Sequence, residues 1–127
     1  MNLEKVVFAF VVILAATLNL GFVYGGISDP GHHPLWQLFA ATVVSLIAAV
    51  LKFGDRSHMG ALQLASSLVV LLQLIVASLV WFFAGQTATG LPSASALVTI
   101  VSLSAGALFA NVTSVIIMLI DTTAQRR

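Results

Sequence analysis

Hydrophobic positions along this chain do not alternate with polar ones; they run together in long blocks that short polar segments interrupt. Three interruptions stand out: "GGISDPGHHP" from Gly25, "FGDRSHMG" from Phe53 and "GQTATGLPSAS" from Gly85. Glycine, proline and small polar residues punctuate secondary structure, and a hydrocarbon layer about 30 Å thick takes roughly 20 apolar residues of helix to cross. The pattern therefore predicts four spans, over residues 4–24, 35–53, 61–84 and 93–120, within a single domain of residues 1–127. The first block is followed by "FVYGG", with no small-x-small cleavage pattern, and is read as a retained helix rather than a secretory signal.

Within the third span the period is helical. Gln63, Ser66, Ser67, Gln73, Ala77, Ser78 and Trp81 fall on one side at 100° per residue, and Ala65, Leu68, Val69, Leu72, Ile75, Val76, Leu79 and Val80 on the other. The first side is expected to face protein and the second lipid. The fourth span carries Ser102, Gly106, Ala110 and Ser114 at intervals of four, a ridge of small residues that permits close helix approach. Similar ridges run through Thr17, Gly21 and Gly25 and through Ala41, Ser45 and Ala49. Asn19 lies away from its ridge, and Asn111, with Ser104 and Ala107, lies roughly opposite that of Ser102 and Gly106. Two polar faces on one helix imply neighbours on both sides, hence a homo-oligomer or a larger membrane complex.

Composition sharpens this picture. Of the 127 residues, 60% are hydrophobic and 7% charged, and the mean hydropathy is +1.11. A soluble domain of this length could not enclose so much apolar surface. No Asp, Glu, Lys, Arg or His occurs from Met59 to Ile120. The expected fold class is thus an all-α integral membrane protein whose four transmembrane helices form two hairpins. The hairpins are open to a reading as a parallel tandem repeat, because "TVVSLIAAVL" from Thr42 matches "TIVSLSAGAL" from Thr99. The competing explanation is chance matching between segments drawn from the same few residue types.

Charge supplies orientation. Lys5, Lys52, Arg56, Arg126 and Arg127 all fall at the termini or in the middle interruption. Basic residues stay on the cytoplasmic side, so both termini and the middle loop are expected there, in a multi-pass protein of the bacterial inner-membrane type. The lipid bilayer is the first partner, and a net charge of +1 gives no reason to expect nucleic acid.

The chemistry is sparse. With no cysteine, thiolate ligands and disulfides are excluded. The spans carry no interior titratable group for proton coupling, no axial histidine for a haem and no buried lysine for a Schiff base. No catalytic residue, cofactor or metal is expected, and the chain is not expected to be an enzyme. Four helices in this length is also the format of the small multidrug resistance transporters. Their first helix carries a glutamate, where this chain offers only Asn19.

The candidate packing or pore-lining residues are Asn19, Gln37, Gln73, Ser102, Gly106 and Asn111. Their amides could line a hydrated path or simply hydrogen-bond between helices. Asp29, His32 and His33 are the outer-loop candidates. "SDPG" there reads as a tight turn, with Asp29 bonding its own backbone and Pro30 presetting its dihedral, and Pro34 suits a helix start. The two histidines would matter only where several chains bring their loops together. The function expected is that of a small non-catalytic subunit stabilising or regulating a membrane complex, such as one that transports ions. The alternative is a homo-oligomeric passive channel lined by Ser, Thr, Asn and Gln faces.

Overall fold

The structure, a computed structural model, describes residues 3–24, 34–54, 57–83 and 91–125, and of these the side chains up to residue 123. Four helices result: α1 (Leu3–Val23), α2 (Leu35–Lys52), α3 (His58–Phe83) and α4 (Ala94–Gln125). All four are long and apolar enough to cross a membrane. Lipid offers the backbone no hydrogen bonds, so a spanning segment must satisfy its own amides, and the helix does so.

The expected spans agree with these bounds to within a residue at six of the eight ends. The others differ where polar residues sit at a helix terminus. α3 begins at His58 instead of residue 61, because Ser57 starts it: the Ser57 Oγ accepts the Gly60 N–H at 3.0 Å and the Ser57 carbonyl accepts the Ala61 N–H at 2.9 Å. α4 continues to Gln125, since Asp121, Thr122 and Thr123 extend the helix past the apolar stretch without breaking it. Its start is secured by Ser93, whose Oγ accepts the Ala96 N–H at 3.3 Å. Pro34, at φ −69° and ψ 134°, precedes α2.

α1 packs against α2 and α4, and α3 against α2 and α4, so the helices form a ring with diagonal pairs barely touching. Phe22 meets Trp81 at a ring separation of 6.4 Å, and Phe39 stacks on Phe82 at 5.6 Å. These contacts gather the end of α1, the start of α2 and the end of α3 at one end of the ring. At the other, the Lys52 ammonium sits 4.2 Å above the Phe8 ring, bringing the end of α2 to the start of α1. We refer to these as the aromatic end and the lysine end.

A single spacing organises the interior. α3 buries Gly60, Gln63, Ser67, Val70, Leu74, Ala77 and Trp81, the alternating three- and four-residue steps of a heptad seam. α1 buries Phe8, Ala15 and Phe22 with Val12 and Asn19; α2 buries Leu38 and Ser45 with Ala41 and Ala48. In α4, Leu97, Ser104 and Asn111 alternate with Ile100, Ala107 and Ser114. A seam repeating every seven residues stays on one side of a helix and suits neighbours crossing at about 20°.

Candidate functional site

Among the described residues seven polar side chains are buried within this ring, all of them uncharged: Asn19, Ser45, Gln63, Ser67, Ser104, Asn111 and Ser114. Each occupies a seam position, where its neighbours are other helices of the same chain. Several have no hydrogen-bond partner among the described residues, including both amide atoms of Asn19, Asn111 Nδ2, Gln63 Oε1 and the hydroxyls of Ser45, Ser104 and Ser114. An unsatisfied buried group costs about 1–3 kcal/mol. The bundle therefore carries polarity that its own packing does not require.

Midway along the bundle, Ser45, Ser67, Asn111 and Ser114 converge with Val12, Ala15, Ala48 and Val70 around a cavity of about 10 Å³. That is near the lower limit for one water molecule, and four polar side chains line it.

The candidates named from sequence divide into three groups. Asn19 and Asn111 are buried in the seams, at 0% and 4% exposure. Gln37 and Gln73 are half-buried and each lies over a glycine of an adjacent helix. A Cβ placed on Gly21 would come within 2.9 Å of Gln37 Nε2, and one on Gly106 within 3.1 Å of Gln73 Oε1. Gly21 and Gly106 are thus seats for amides, which only a residue without a side chain leaves open. Ser102 stands apart, exposed on the outer side of α4. Asp29, His32 and His33 lie outside the described residues, as does Gly25.

Two expected ridges need correction. Thr17 is exposed, its hydroxyl donating to the Leu14 carbonyl at 2.9 Å, whereas Asn19 is the enclosed member of that helix. Along α4 the ridge begins outside at Ser102 and ends inside at Ser114. A four-residue step overshoots one turn by about 40°, so a ridge three steps long rotates through about 120° and cannot face one parallel neighbour throughout. Ser104, Ala107 and Asn111, expected on a second face, belong with Ala110 and Ser114 to one buried arc. The ridge of Ala41, Ser45 and Ala49 is buried as expected, and the lipid side of α3 is exposed from Ala65 to Leu79, with Val80 half-buried. The two matching segments do not share an environment: Ser45 is 2% exposed, and its counterpart Ser102 faces outward.

Sequence reasoning passed over a second site. At the lysine end a cavity of about 340 Å³ is lined by Lys5, Phe8, Ala9, Lys52, Ser57, Gln63, Met118, Asp121 and Thr122. These residues come from all four helices or their termini. Lys5 and Lys52 had been informative only about orientation; the direction in which each helix runs brings them to one opening. Among the described residues no group of three or more His, Asp or Glu side chains could hold a metal ion.

Four apolar spanning helices around an uncharged polar interior define a multi-pass helical membrane protein. The chain belongs to a family of unknown function (DUF6394), whose pattern covers residues 32–122 and so takes in α2, α3 and most of α4. No curated protein and no solved structure matches it.

Proposed function

We propose that the protein is a small non-catalytic membrane subunit that acts by assembling with itself or with a larger membrane complex, stabilising or regulating it. An ion-transport complex is the kind of partner it suits. The lysine end lies on the cytoplasmic side, with both termini and the middle loop, in a bacterial inner membrane. The two halves, α1 with α2 and α3 with α4, are paired as hairpins.

The observation that carries the reading is Ser102. Most hydroxyls in the apolar part of the bundle away from the inner seams bond carbonyls of their own helix: Thr17 to Leu14, Thr42 to Leu38, Ser66 to Gln63, Ser78 to Leu74, Thr99 to Ser95 and Thr113 to Phe109. Ser102 is exposed in the apolar part of α4 and has no such bond among the described residues. It belongs to a line of Thr99, Ser102, Gly106, Phe109, Thr113 and Ile116 at the spacing of the inner seams, exposed at Thr99, Ser102, Phe109 and Ile116 and half-buried at Thr113 and at Gly106, over which Gln73 lies. Small residues with a free hydroxyl suit the close approach of another helix better than they suit lipid.

The chain has no cysteine, so a single Ser102→Cys substitution reports on this line unambiguously. In native membranes it is expected to cross-link to a second copy or to a distinct membrane protein, while Leu72→Cys on the exposed side of α3 is not. Monomers from both variants, together with a monodisperse single chain in mild detergent, would sink the proposal. The channel reading has less support, since the polar side chains turn inward within one chain around about 10 Å³ of space. Ion flux into liposomes that falls with Gln73→Leu would favour it.

A further inference from the structure

The cavity at the lysine end joins two kinds of lining that serve one kind of ligand. Among the described lining residues Lys5, Lys52 and Asp121 carry charge, one net positive, with the Lys52 ammonium lying over the Phe8 ring, and Phe8, Ala9 and Met118 supply an apolar wall. Gln63 is 1% exposed, and its Oε1 is buried without a hydrogen-bond partner among the described residues. Lys5, Ser57 and Thr122 are exposed, so the cavity reaches the surface where the spanning helices end. Its volume of about 340 Å³ falls within the range of roughly 300–1,000 Å³ typical of small-ligand sites.

We propose that this cavity binds the headgroup of an anionic glycerophospholipid bearing free hydroxyls, of the phosphatidylglycerol type. The two lysines neutralise the phosphate diester as point charges. The Asp121 carboxylate and Gln63 Oε1 receive the headgroup hydroxyls, which gives the buried acceptor of Gln63 a donor. The apolar wall takes the glycerol backbone and the first methylenes of the acyl chains. A water-soluble phosphate shares the first of these interactions and has no use for the last. A second acidic group on the ligand would meet Asp121, which disfavours a carboxylate-bearing headgroup.

The test uses the full chain, purified and stripped of lipid, with binding of each lipid read by native mass spectrometry. Phosphatidylglycerol is expected to bind one to one and in preference to phosphatidylcholine. A basic side chain near a membrane surface contributes about 1 kcal/mol toward anionic lipid, so Lys5→Gln should weaken phosphatidylglycerol binding roughly fivefold, and Lys5→Gln with Lys52→Gln roughly 25-fold. Lys5 is exposed, so its variant separates loss of binding from loss of fold, which far-ultraviolet circular dichroism checks for both. Equal binding of phosphatidylglycerol and phosphatidylcholine, or unaltered binding by the lysine variants, would each overturn the site. Phosphatidylmethanol, of the same charge without hydroxyls, should bind less well, and equal binding would overturn the role of Asp121 and Gln63. Displacement of the lipid by inorganic phosphate at millimolar concentration would overturn the lipid as the source of the phosphate.

Discussion

Asn19 is completely enclosed, and neither the oxygen nor the nitrogen of its amide meets a partner among the described residues. Exchange of such a group for an apolar one of similar size removes a desolvation penalty and leaves little else to lose. Asn19→Leu is therefore expected to stabilise the isolated protein by about 1–2 kcal/mol, measured by denaturant titration in detergent micelles. A loss of stability instead would mean that the amide is engaged in the native membrane bundle. Gly106 makes the opposite prediction, because its missing side chain is occupied by Gln73. Gly106→Ala gains up to about 1 kcal/mol of helix propensity and displaces only the mobile end of Gln73, so its net effect should be small. Gly106→Leu overfills the same seat and should cost about 1–3 kcal/mol by the same titration. At this scale the sequence was partly legible. Asn19 and Asn111 stood out as amides in apolar runs, whereas Gln63 acquires its interest from the lysine-end cavity it lines, which no spacing along one helix encodes.

Among the helices, α3 was the most legible from sequence, because its seam of Gln63, Ser67 and Ala77 opposes a broad aliphatic side. α4 was the least legible. Small and hydroxyl-bearing residues surround it on both its inner and outer sides, so composition does not tell an inward serine such as Ser104 from an outward one such as Ser102. Register decides between them: steps of seven keep Ser104 and Asn111 together, while steps of four wind away around the helix. The outer line of α4 then has its own consequence. Ser102→Leu keeps the helix apolar and leaves the four internal contacts of the ring untouched, so the chain should unfold at an unchanged temperature. Its association should weaken, by about 0.6–2 kcal/mol if Ser102 hydrogen-bonds across the contact, as followed by energy transfer between labelled copies or between copy and partner in liposomes. Ser45→Leu, the matching change in α2, fills the interior cavity's edge instead and should lower stability without this selective effect on association.

Taken whole, the molecule is a ring with chemically different ends. Lysines and the Asp121 carboxylate frame one, and Phe22, Trp81, Phe39 and Phe82 fill the other. The distribution of charge along the chain made that difference readable, and the apolar blocks made the number of helices readable. The placing of Lys5 beside Lys52 and Asp121 was not, since it depends on all four helices closing into one ring. Those helices are unequal in length. α2 has 18 residues, about 27 Å at 1.5 Å per residue, and the apolar stretch of α4, residues 94–120, is about 40 Å long, and the two stand diagonally across the ring from each other. A flat bilayer of one thickness cannot match both. Lipid must thin beside α2, thicken beside α4, or let the long helix lean, each at a fraction of a kcal/mol per Å of mismatch. Thermal stability in bilayers of increasing acyl length should accordingly pass through a broad maximum instead of rising or falling steadily. The protein would then act on its surroundings as a wedge, imposing a thickness gradient on the membrane and drawing toward α2 those neighbours whose own spans are short.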